Sequence, residues 1–218
     1  MSFSDLPALS SSQVQQVDAL CAERFGIPVE WLMEAAGWQI ARFIGQPAAV
    51  VCGVGNNAGD GLAAARHLHR WGRLASVSCV DASRLRGPAA LQAEALRKSG
   101  VEIADELRLS DAVVIVDAIF GTGLSRPPEG RFADWIIAIN ASRKPIVSVD
   151  VPSGLDAESG VAYAPCVNAG TTVTLGLPKR GLTGRVLVAD IGVPFEAYSE
   201  VGAIVPPELF ARGELIQL

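Results

Sequence analysis

Apolar and polar residues recur along this chain in blocks that predict helices and strands. Two helical patterns come first. The first can be capped by Ser10, Ser11 or Ser12 and ends at Gly26, and its apolar face is spaced as in a helix, at Val14, Val17, Leu20, Cys21 and Phe25. Pro28 is suited to begin the second, whose apolar positions are Val29, Leu32, Met33, Ala36, Ile40 and Phe43. Two helices are therefore predicted before the first strand.

From residue 48 onward, short apolar runs alternate with helical patterns. The predicted strands are Ala48–Gly53, Leu74–Val80, Ala112–Asp117, Pro145–Asp150, Thr171–Leu175 and Arg185–Asp190. The predicted helices between them are Asp60–Trp71, Pro88–Ser99 and Phe132–Ala141. Continuous apolar strands separated by helices are typical of a mainly parallel sheet covered on both faces. Because no repeat or linker interrupts the pattern, we predict one α/β domain over residues 1–218.

Composition narrows the class of protein. Half of the 218 residues are apolar and 19% are charged, which allows a large core, and the net charge of −5 disfavours a nucleic-acid partner. The N-terminus lacks the pattern of a signal peptide, and no apolar run approaches the roughly 18–20 residues of a membrane span. The four cysteines lack CxxC spacing, as expected of buried thiols in a reducing compartment. We therefore expect a soluble, cytoplasmic protein with neither a membrane nor a nucleic-acid partner.

Three loops rich in glycine and small polar residues follow predicted strands. They are GVGNNAGDG at Gly53–Gly61, the segment Asp117–Pro127, and DVPSGLD at Asp150–Asp156. Ligands of parallel sheets bind at the carboxyl ends of the strands, so we expect the three loops to converge on one crevice. The first loop has neither the dinucleotide-binding glycine spacing nor the Lys-Ser/Thr pair of a P-loop. Its exposed amides and the helix N-terminus after it still suit an anion.

Several polar residues in these loops are candidates for chemistry. Asp117 and Asp150 end apolar strands, where a carboxylate can act as a base or bind a cation. Asn57, Asp117 and Ser153 together offer only oxygen ligands, which suits a hard ion rather than zinc. Gly121–Gly123 with Arg126 has the composition of a second phosphate cradle. Lys179, in GLPKRGL, either adds positive charge at the same edge or is a solvated loop lysine.

Five ordered motifs resemble those of the NAD(P)H-hydrate epimerases, the YjeF N-terminal domain family. They read GVGNNAGDGLAAARHL, VDAIFGTGLSRPPEG, VDVPSGLDAESG, TLGLPKRGL and VADIGVP, and the earlier WLMEAAGWQIA resembles the family's LMExAG helix. The resemblance runs from about Ser10 to Pro194. It implies a Rossmann-like three-layer α/β/α sandwich. It also implies an isomerase of nicotinamide nucleotide repair, which interconverts the R and S forms of hydrated NADH or NADPH. The chain resembles the stand-alone epimerase, without the C-terminal dehydratase domain of many bacterial relatives.

The resemblance also implies roles for particular residues. The substrate-binding set that it implies is Asn56, Asn57, Ala58, Gly59, Asp60, Gly121, Thr122, Gly123, Leu124, Ser125, Arg126, Pro127 and Asp150. Asn57, Asp117 and Ser153 resemble the family's potassium ligands. Our own assignment adds Asp150 as general base and Lys179 as its electrostatic or acid partner. The resemblance and the apolar N-terminal helices further favour a homodimer.

Two departures from the family pattern bear on activity. Ala58 stands where NNGGD has a glycine, and it costs little if its φ is negative. Ala35 replaces the asparagine of LMENAG, so activity is reduced if that amide orients the site.

The sequence leaves two other functions open: a non-catalytic nucleotide-binding or interaction module on the same fold, and a small-molecule kinase. Reversible loss of the ring hydroxyl through an iminium-like state and ring opening are both compatible with the sequence.

Overall fold

The computed structural model describes residues 5–211 and 215–218. The predictions of one domain over 1–218 and of an N-terminus without a signal peptide extend to residues 1–4 and 212–214, which lie outside the described residues. Within the described ranges, no helix is long and apolar enough to cross a membrane.

The helices begin and end close to the residues that the apolar spacing indicates. A capping box starts the first, because the Ser10 side chain accepts a hydrogen bond from the Gln13 N–H and the Gln13 side chain accepts one from the Ser10 N–H. The six helices of the described residues are α1 (Ser11–Glu23), α2 (Val29–Phe43), α3 (Asn56–Arg70), α4 (Gly87–Lys98), α5 (Arg131–Ala141) and α6 (Phe195–Glu200).

The strands form one sheet in which all neighbours but one run parallel. In the described part of the chain they are β1 (Ala48–Cys52), β2 (Leu74–Cys79), β3 (Ile103–Ala104), β4 (Val114–Ala118), β5 (Ile146–Val149), β6 (Thr171–Leu175), β7 (Val186–Ala189) and β8 (Leu215–Gln217). Their order is β3-β2-β1-β4-β5-β6-β7-β8, and only the β7–β8 pair is antiparallel. The predicted α/β class with a mainly parallel sheet is confirmed. The order reverses between β1 and β4, which is where such sheets bind ligands.

Helices cover both faces of the sheet. On one face, residues of α2, α3 and α4 form a single apolar cluster with Val50 of β1 and Val116 of β4. On the other face, α5 packs Trp135, Ile136 and Ile139 against Val51 and Ile115. Helices α1 and α6 join a further cluster that includes Val188 of β7. The three-layer α/β/α sandwich follows directly from strands that are apolar on both faces.

The structure corrects the sequence-based elements at several points. Helix α3 begins at Asn56 rather than Asp60, so six of the nine residues of Gly53–Gly61 are helical. Asp117 is the penultimate residue of β4 rather than its end, and Asp150 lies beyond β5. The pattern also missed β3, α6 and β8. These elements span only two, six and three residues, too few to show a clear hydrophobic period.

Candidate active site

The turn between β1 and α3 is short and closely packed. Gly55 is the N-cap of α3 and makes no side-chain cap, so Asp60 does not cap this helix. A Cβ on Gly53 would lie 2.0 Å from the Ile119 carbonyl oxygen, and one on Gly61 would lie 2.5 Å from the Ala118 Cβ. The first and last of these glycines therefore let β1, α3 and the end of β4 approach closely. The residues of this segment that face the cavity described below are Val54, Gly55, Asn56, Asn57 and Asp60.

Asp150 and Lys179 form a buried ion pair at the carboxyl edge of the sheet. Asp150 has a φ of 65°, a left-handed conformation that aspartate tolerates better than most residues. Its Oδ1 accepts hydrogen bonds from the Lys179 Nζ, the Leu175 N–H at 3.1 Å and the Thr174 hydroxyl at 3.3 Å. Lys179 is 2% exposed and also donates to the Leu175 carbonyl at 2.7 Å. The interpretation of Lys179 as a solvated loop lysine is therefore wrong.

The N-terminal segment holds the Lys179 loop in place. The Leu9 N–H donates to the Pro178 carbonyl at 2.8 Å, and the Arg180 N–H donates to the Leu9 carbonyl at 3.2 Å. These two bonds form a parallel bridge beside Lys179. The start of α1 is thereby fixed next to the ion pair.

A cavity of about 450 Å³ opens beside this pair. Eight of the thirteen predicted substrate-binding residues line it, namely Asn56, Asn57, Asp60, Gly121, Thr122, Gly123, Leu124 and Asp150. Lys179 lines it as well. The structure thus brings the three loops together on one crevice, as their positions after the strands predict.

The other five predicted binding residues do not line this cavity in the described structure. Ala58 is fully buried in the apolar cluster beneath α3, and its N–H donates to the Gly55 carbonyl. Gly59 faces Met33 and Ala89 rather than the cavity. The remaining three, Ser125, Arg126 and Pro127, are exposed farther along the β4–α5 loop. Their contact with substrate stays a prediction.

Helix α1 supplies a cavity residue that the sequence analysis missed. Asp18 lines the cavity together with Val14 and Gln15. Although the residue as a whole is exposed, desolvation of the carboxyl raises its pKa to about 6. The positive charge of Lys179 opposes this shift and the negative charge of Asp150 adds to it. A signal was present in the sequence, since Asp18 lies four residues after Val14 and three before Cys21, on the apolar side of the helix.

Asp60 is the third carboxyl group of the cavity. Desolvation raises its pKa well above the usual range for aspartate, and the negative charges of Asp150 and Asp18 raise it further. Lys179 acts in the opposite direction. Three carboxyl groups from three different elements therefore surround one buried ammonium group.

Asp117 is fully buried below this cavity and is held by neutral donors. Its Oδ1 accepts from the Ser153 hydroxyl at 2.6 Å and the Ile119 N–H at 3.3 Å. Its Oδ2 accepts from the Ser148 hydroxyl at 2.7 Å and the Ser153 N–H at 3.0 Å. Burial raises the pKa of Asp117, and the bonds from Ser153 and Ser148 oppose that rise. No cationic side chain of residues 5–211 or 215–218 hydrogen-bonds to it in the structure.

The three predicted potassium ligands meet around Phe120. The Asn57 Nδ2 donates to the Phe120 carbonyl at 2.9 Å, and the Phe120 N–H donates to the Ser153 hydroxyl at 2.8 Å. Ser153 in turn contacts Asp117. A buried carboxylate without a cationic partner, next to amide and hydroxyl oxygens, fits the charge and ligand chemistry of a hard monovalent cation.

The family model described as YjeF-related protein N-terminus matches residues 29–181. The chain belongs to this family. A crystal structure of the yeast protein ynu0 has a TM-score of 0.85 and 26% sequence identity, and the match covers 98% of this chain and all of the yeast chain.

Similar family members differ in length. The NAD(P)H-hydrate epimerase of Limosilactobacillus fermentum is 39% identical, over 84% of this chain and 96% of that protein. The NAD(P)H-hydrate epimerase of Rhodopirellula baltica is 34% identical, over 88% of this chain and 86% of that protein. The bifunctional NAD(P)H-hydrate repair enzyme Nnr of Thermofilum pendens is 46% identical over 84% of this chain, but this match spans only 40% of that protein.

Neither of the two residues that depart from the family pattern lines the cavity. Ala58 is in helical conformation and is absent from the residues with positive φ, so its methyl group costs little there. Ala35 lines a separate depression with Trp31, Glu34, Trp38, Gln39 and His67. The loss of the family's amide at position 35 therefore does not alter the wall of the cavity.

Proposed function

We propose that this protein is an NAD(P)H-hydrate epimerase, an isomerase that interconverts the R and S forms of hydrated NADH and NADPH. The observation that carries the proposal is the Asp150–Lys179 ion pair on the wall of a cavity that also exposes Asn56 and Asp60. The family relatives named as epimerases support it, since two of them match this chain over most of their own length.

The charges of the cavity favour the nicotinamide end of the substrate. Lys179 is the one basic side chain among the described residues that line the cavity, which does not favour phosphate groups beside it. A positive charge that develops on the ring during the reaction would be stabilised by the Asp150 carboxylate. We propose that the phosphates bind to the backbone amides of Gly121–Gly123, which line the cavity, and to the exposed Arg126 farther along the same loop.

Asp150 is oriented to act as the general base. The three hydrogen bonds that it receives within the described residues all go to Oδ1, which leaves Oδ2 for the substrate. Lys179 fixes the carboxylate in this orientation and balances its charge. Oδ2 can then take the proton of a hydroxyl or of an incoming water.

Potassium binding is a further part of the proposal. Asn57, Asp117 and Ser153 would hold the ion, and the unpaired charge of the buried Asp117 supports this assignment. A bound potassium ion would supply the positive charge that the buried Asp117 lacks.

The deciding experiment uses chemically prepared R-hydrate in potassium buffer. We expect the protein to accelerate its conversion to the S form, and we expect Asp150→Asn to abolish this acceleration. A wild-type rate equal to the spontaneous rate would reject the epimerase proposal. Hydrate binding without conversion would instead support a non-catalytic module, and ATP consumption would support a kinase.

We also propose a homodimer that forms through α2. Trp31 on this helix is 66% exposed, and Trp38 beside it is 38% exposed. Large exposed aromatic side chains are typical of protein interfaces. Light scattering should report a dimer that Trp31→Glu dissociates, whereas Leu91→Glu, at a 55% exposed position on α4, should leave it intact.

The location and the partners follow from charge and cysteine chemistry. All four cysteines are free, which agrees with a cytoplasmic, reducing environment. The net charge of −5 disfavours binding to nucleic acid. We therefore propose the hydrated nucleotide as the partner of the cavity.

A further inference from the structure

Helix α1 is a fixed part of the cavity wall, although it precedes the segment that the family model matches. Val17 and Cys21 are buried on its inner side. At its N-terminal end, the Gln13 Nε2 donates to the Val201 carbonyl at 2.9 Å, and the Ser11 N–H donates to Glu158 at 3.2 Å. Asp18 therefore projects from a helix that is held at both its face and its end.

Epimerisation of a ring hydroxyl makes a demand that one carboxylate does not meet. In the iminium route, the hydroxyl leaves from one face of the ring and returns to the other. A proton must be given to the departing oxygen on the first face and taken from the incoming water on the second. This requires two acid–base groups that approach the ring from different walls. Asp150 supplies one of them.

Asp18 and Asp60 are the other carboxyl groups that line the cavity. Asp60 lies on α3, in the NNAGD segment, and desolvation raises its pKa well above the usual range for aspartate. Asp18 lies on α1 and is open to water, and its charge interacts with both Lys179 and Asp150. Its pKa of about 6 allows it to give and take a proton near neutral pH.

We propose that Asp18 is the acid–base partner of Asp150, a second catalytic residue that exchanges a proton with the ring hydroxyl from the α1 wall. This inference rests on the proposed epimerase function. It assigns a role to a residue that lies outside the matched family segment.

The step balances without any further reactant. The carbon–oxygen bond breaks with its electron pair on oxygen, which takes the Asp18 proton and leaves as water. The lone pair of the ring nitrogen forms the carbon–nitrogen double bond. Water then adds to the other face, the electron pair returns to nitrogen, and the excess proton passes to Asp150. Asp150 then releases this proton to solvent and Asp18 takes one from solvent, which restores the starting form of the pair. The reverse direction exchanges the roles of the two residues.

The pair must hold one proton between its two carboxyl groups. Loss of that proton stops both directions, so kcat/KM falls as the pH rises through the pKa of Asp18. Because the two hydrates carry the same charge, their equilibrium does not depend on pH, and both directions share one profile. Lys179 favours loss of the proton, whereas Asp150 opposes it; Asp60, Cys21 and Tyr198 are the other titratable groups coupled to Asp18.

The test compares Asp18→Asn with Glu23→Gln, the same chemical change at an exposed site on α1. We expect Asp18→Asn to lower kcat/KM about 10²–10³-fold in both directions, to remove the fall of activity above about pH 6, and to leave hydrate affinity within a few-fold of wild type. Glu23→Gln should match the wild type in all three. A third variant, Asp18→Glu, should keep the alkaline fall at a shifted pH with a smaller loss of rate.

Each outcome decides the inference. If the wild type is active and Asp18→Asn is equally active, the role of Asp18 is overturned while the epimerase proposal stands. A wild type that does not accelerate conversion would reject the epimerase proposal and this inference with it. If Asp18→Asn does not fold, as judged by circular dichroism, the pH profile of kcat/KM for Asp18→Glu decides. A fall of kcat/KM at the same pH as in the wild type would overturn the role of Asp18.

Discussion

Lys179 and Asp150 form an ion pair in which the side chains are only 2% and 11% exposed. The pair joins the loop after β5 to the loop after β6, and the same lysine bonds to the Leu175 carbonyl. Breaking a buried pair on one side leaves an uncompensated charge, which is costly. The geometry of the catalytic base and the stability of the domain therefore depend on the same contact.

Removal of the lysine should destabilise the protein strongly. We expect Lys179→Met to lower the free energy of unfolding by about 3–5 kcal/mol, because Asp150 is left buried without a partner. The double variant Lys179→Met/Asp150→Asn should recover part of the lost unfolding free energy but remain inactive. Asparagine is suitable at position 150 because it tolerates the positive φ there. Urea denaturation and the hydrate assay measure the two effects.

Arg180 provides the control for this pair. Its guanidinium pairs with Glu158, and the two side chains are 50% and 46% exposed. Exposed pairs contribute about 0–1 kcal/mol, so Arg180→Met should change stability little. If Lys179→Met and Arg180→Met lower the free energy of unfolding equally, the buried pair has no special role in stability.

The Asp117 cluster should respond to potassium. We expect the wild-type melting temperature to rise in potassium chloride relative to choline chloride at equal ionic strength, since a ligand that binds only the native state stabilises it. Asp117→Asn should abolish this rise and should also cost about 1–3 kcal/mol, because an amide NH₂ would face the donors of Ser148 and Ser153.

Ser148→Ala is the matched variant for this cluster. It removes one donor to Asp117 Oδ2 but leaves the Ser153 N–H on the same oxygen. We expect the free energy of unfolding to fall by about 1 kcal/mol and the melting temperature still to rise in potassium chloride. A potassium-dependent melting temperature in Asp117→Asn would place the ion elsewhere.

Replacement of Asp60 should raise the stability of the protein and lower its activity. Its pKa is raised in the native state, so the unfolded state ionises first as the pH rises above about 3.8. The native state then binds more protons than the unfolded state, and the stability contributed by this group falls with rising pH. Asp60→Asn should therefore melt at a higher temperature than wild type at pH 7, yet have lower activity. The difference in melting temperature should vanish near pH 3, and a variant that melts below the wild type at pH 7 would contradict the desolvation argument.

Two substitutions in α3 should separate packing from catalysis. Ala58→Gly, which restores the family's residue, should cost about 0.5–1 kcal/mol through helix entropy and leave kcat/KM unchanged. Gly61→Ala should cost about 1–3 kcal/mol by overpacking, because its Cβ would lie 2.5 Å from the Ala118 Cβ. Thermal unfolding and the hydrate assay check both. A large change of activity in Ala58→Gly would show that residue 58 acts on the substrate.

The sequence predicts the sheet and much of the site because both depend on local patterns. Thr171–Leu175 is predicted to the residue, since a run of β-branched residues bounded by glycines leaves little choice. The start of α3 is different: asparagine and glycine are poor helix formers, and only burial of Ala58 against the core makes that turn helical. Asp18 belongs to none of the recognised motifs, and its place on the apolar side of α1 is the one sequence signal that points to it.

The bridge between Leu9 and the Pro178–Arg180 loop joins residues near opposite ends of the chain. A contact between such distant residues carries a large entropic cost of loop closure, and we expect it to form late in folding. We therefore expect a ribosome-bound or folding chain to build the glycine loop and the central strands well before Asp18 reaches the ion pair. Catalytic competence would then be the last property that the nascent protein gains.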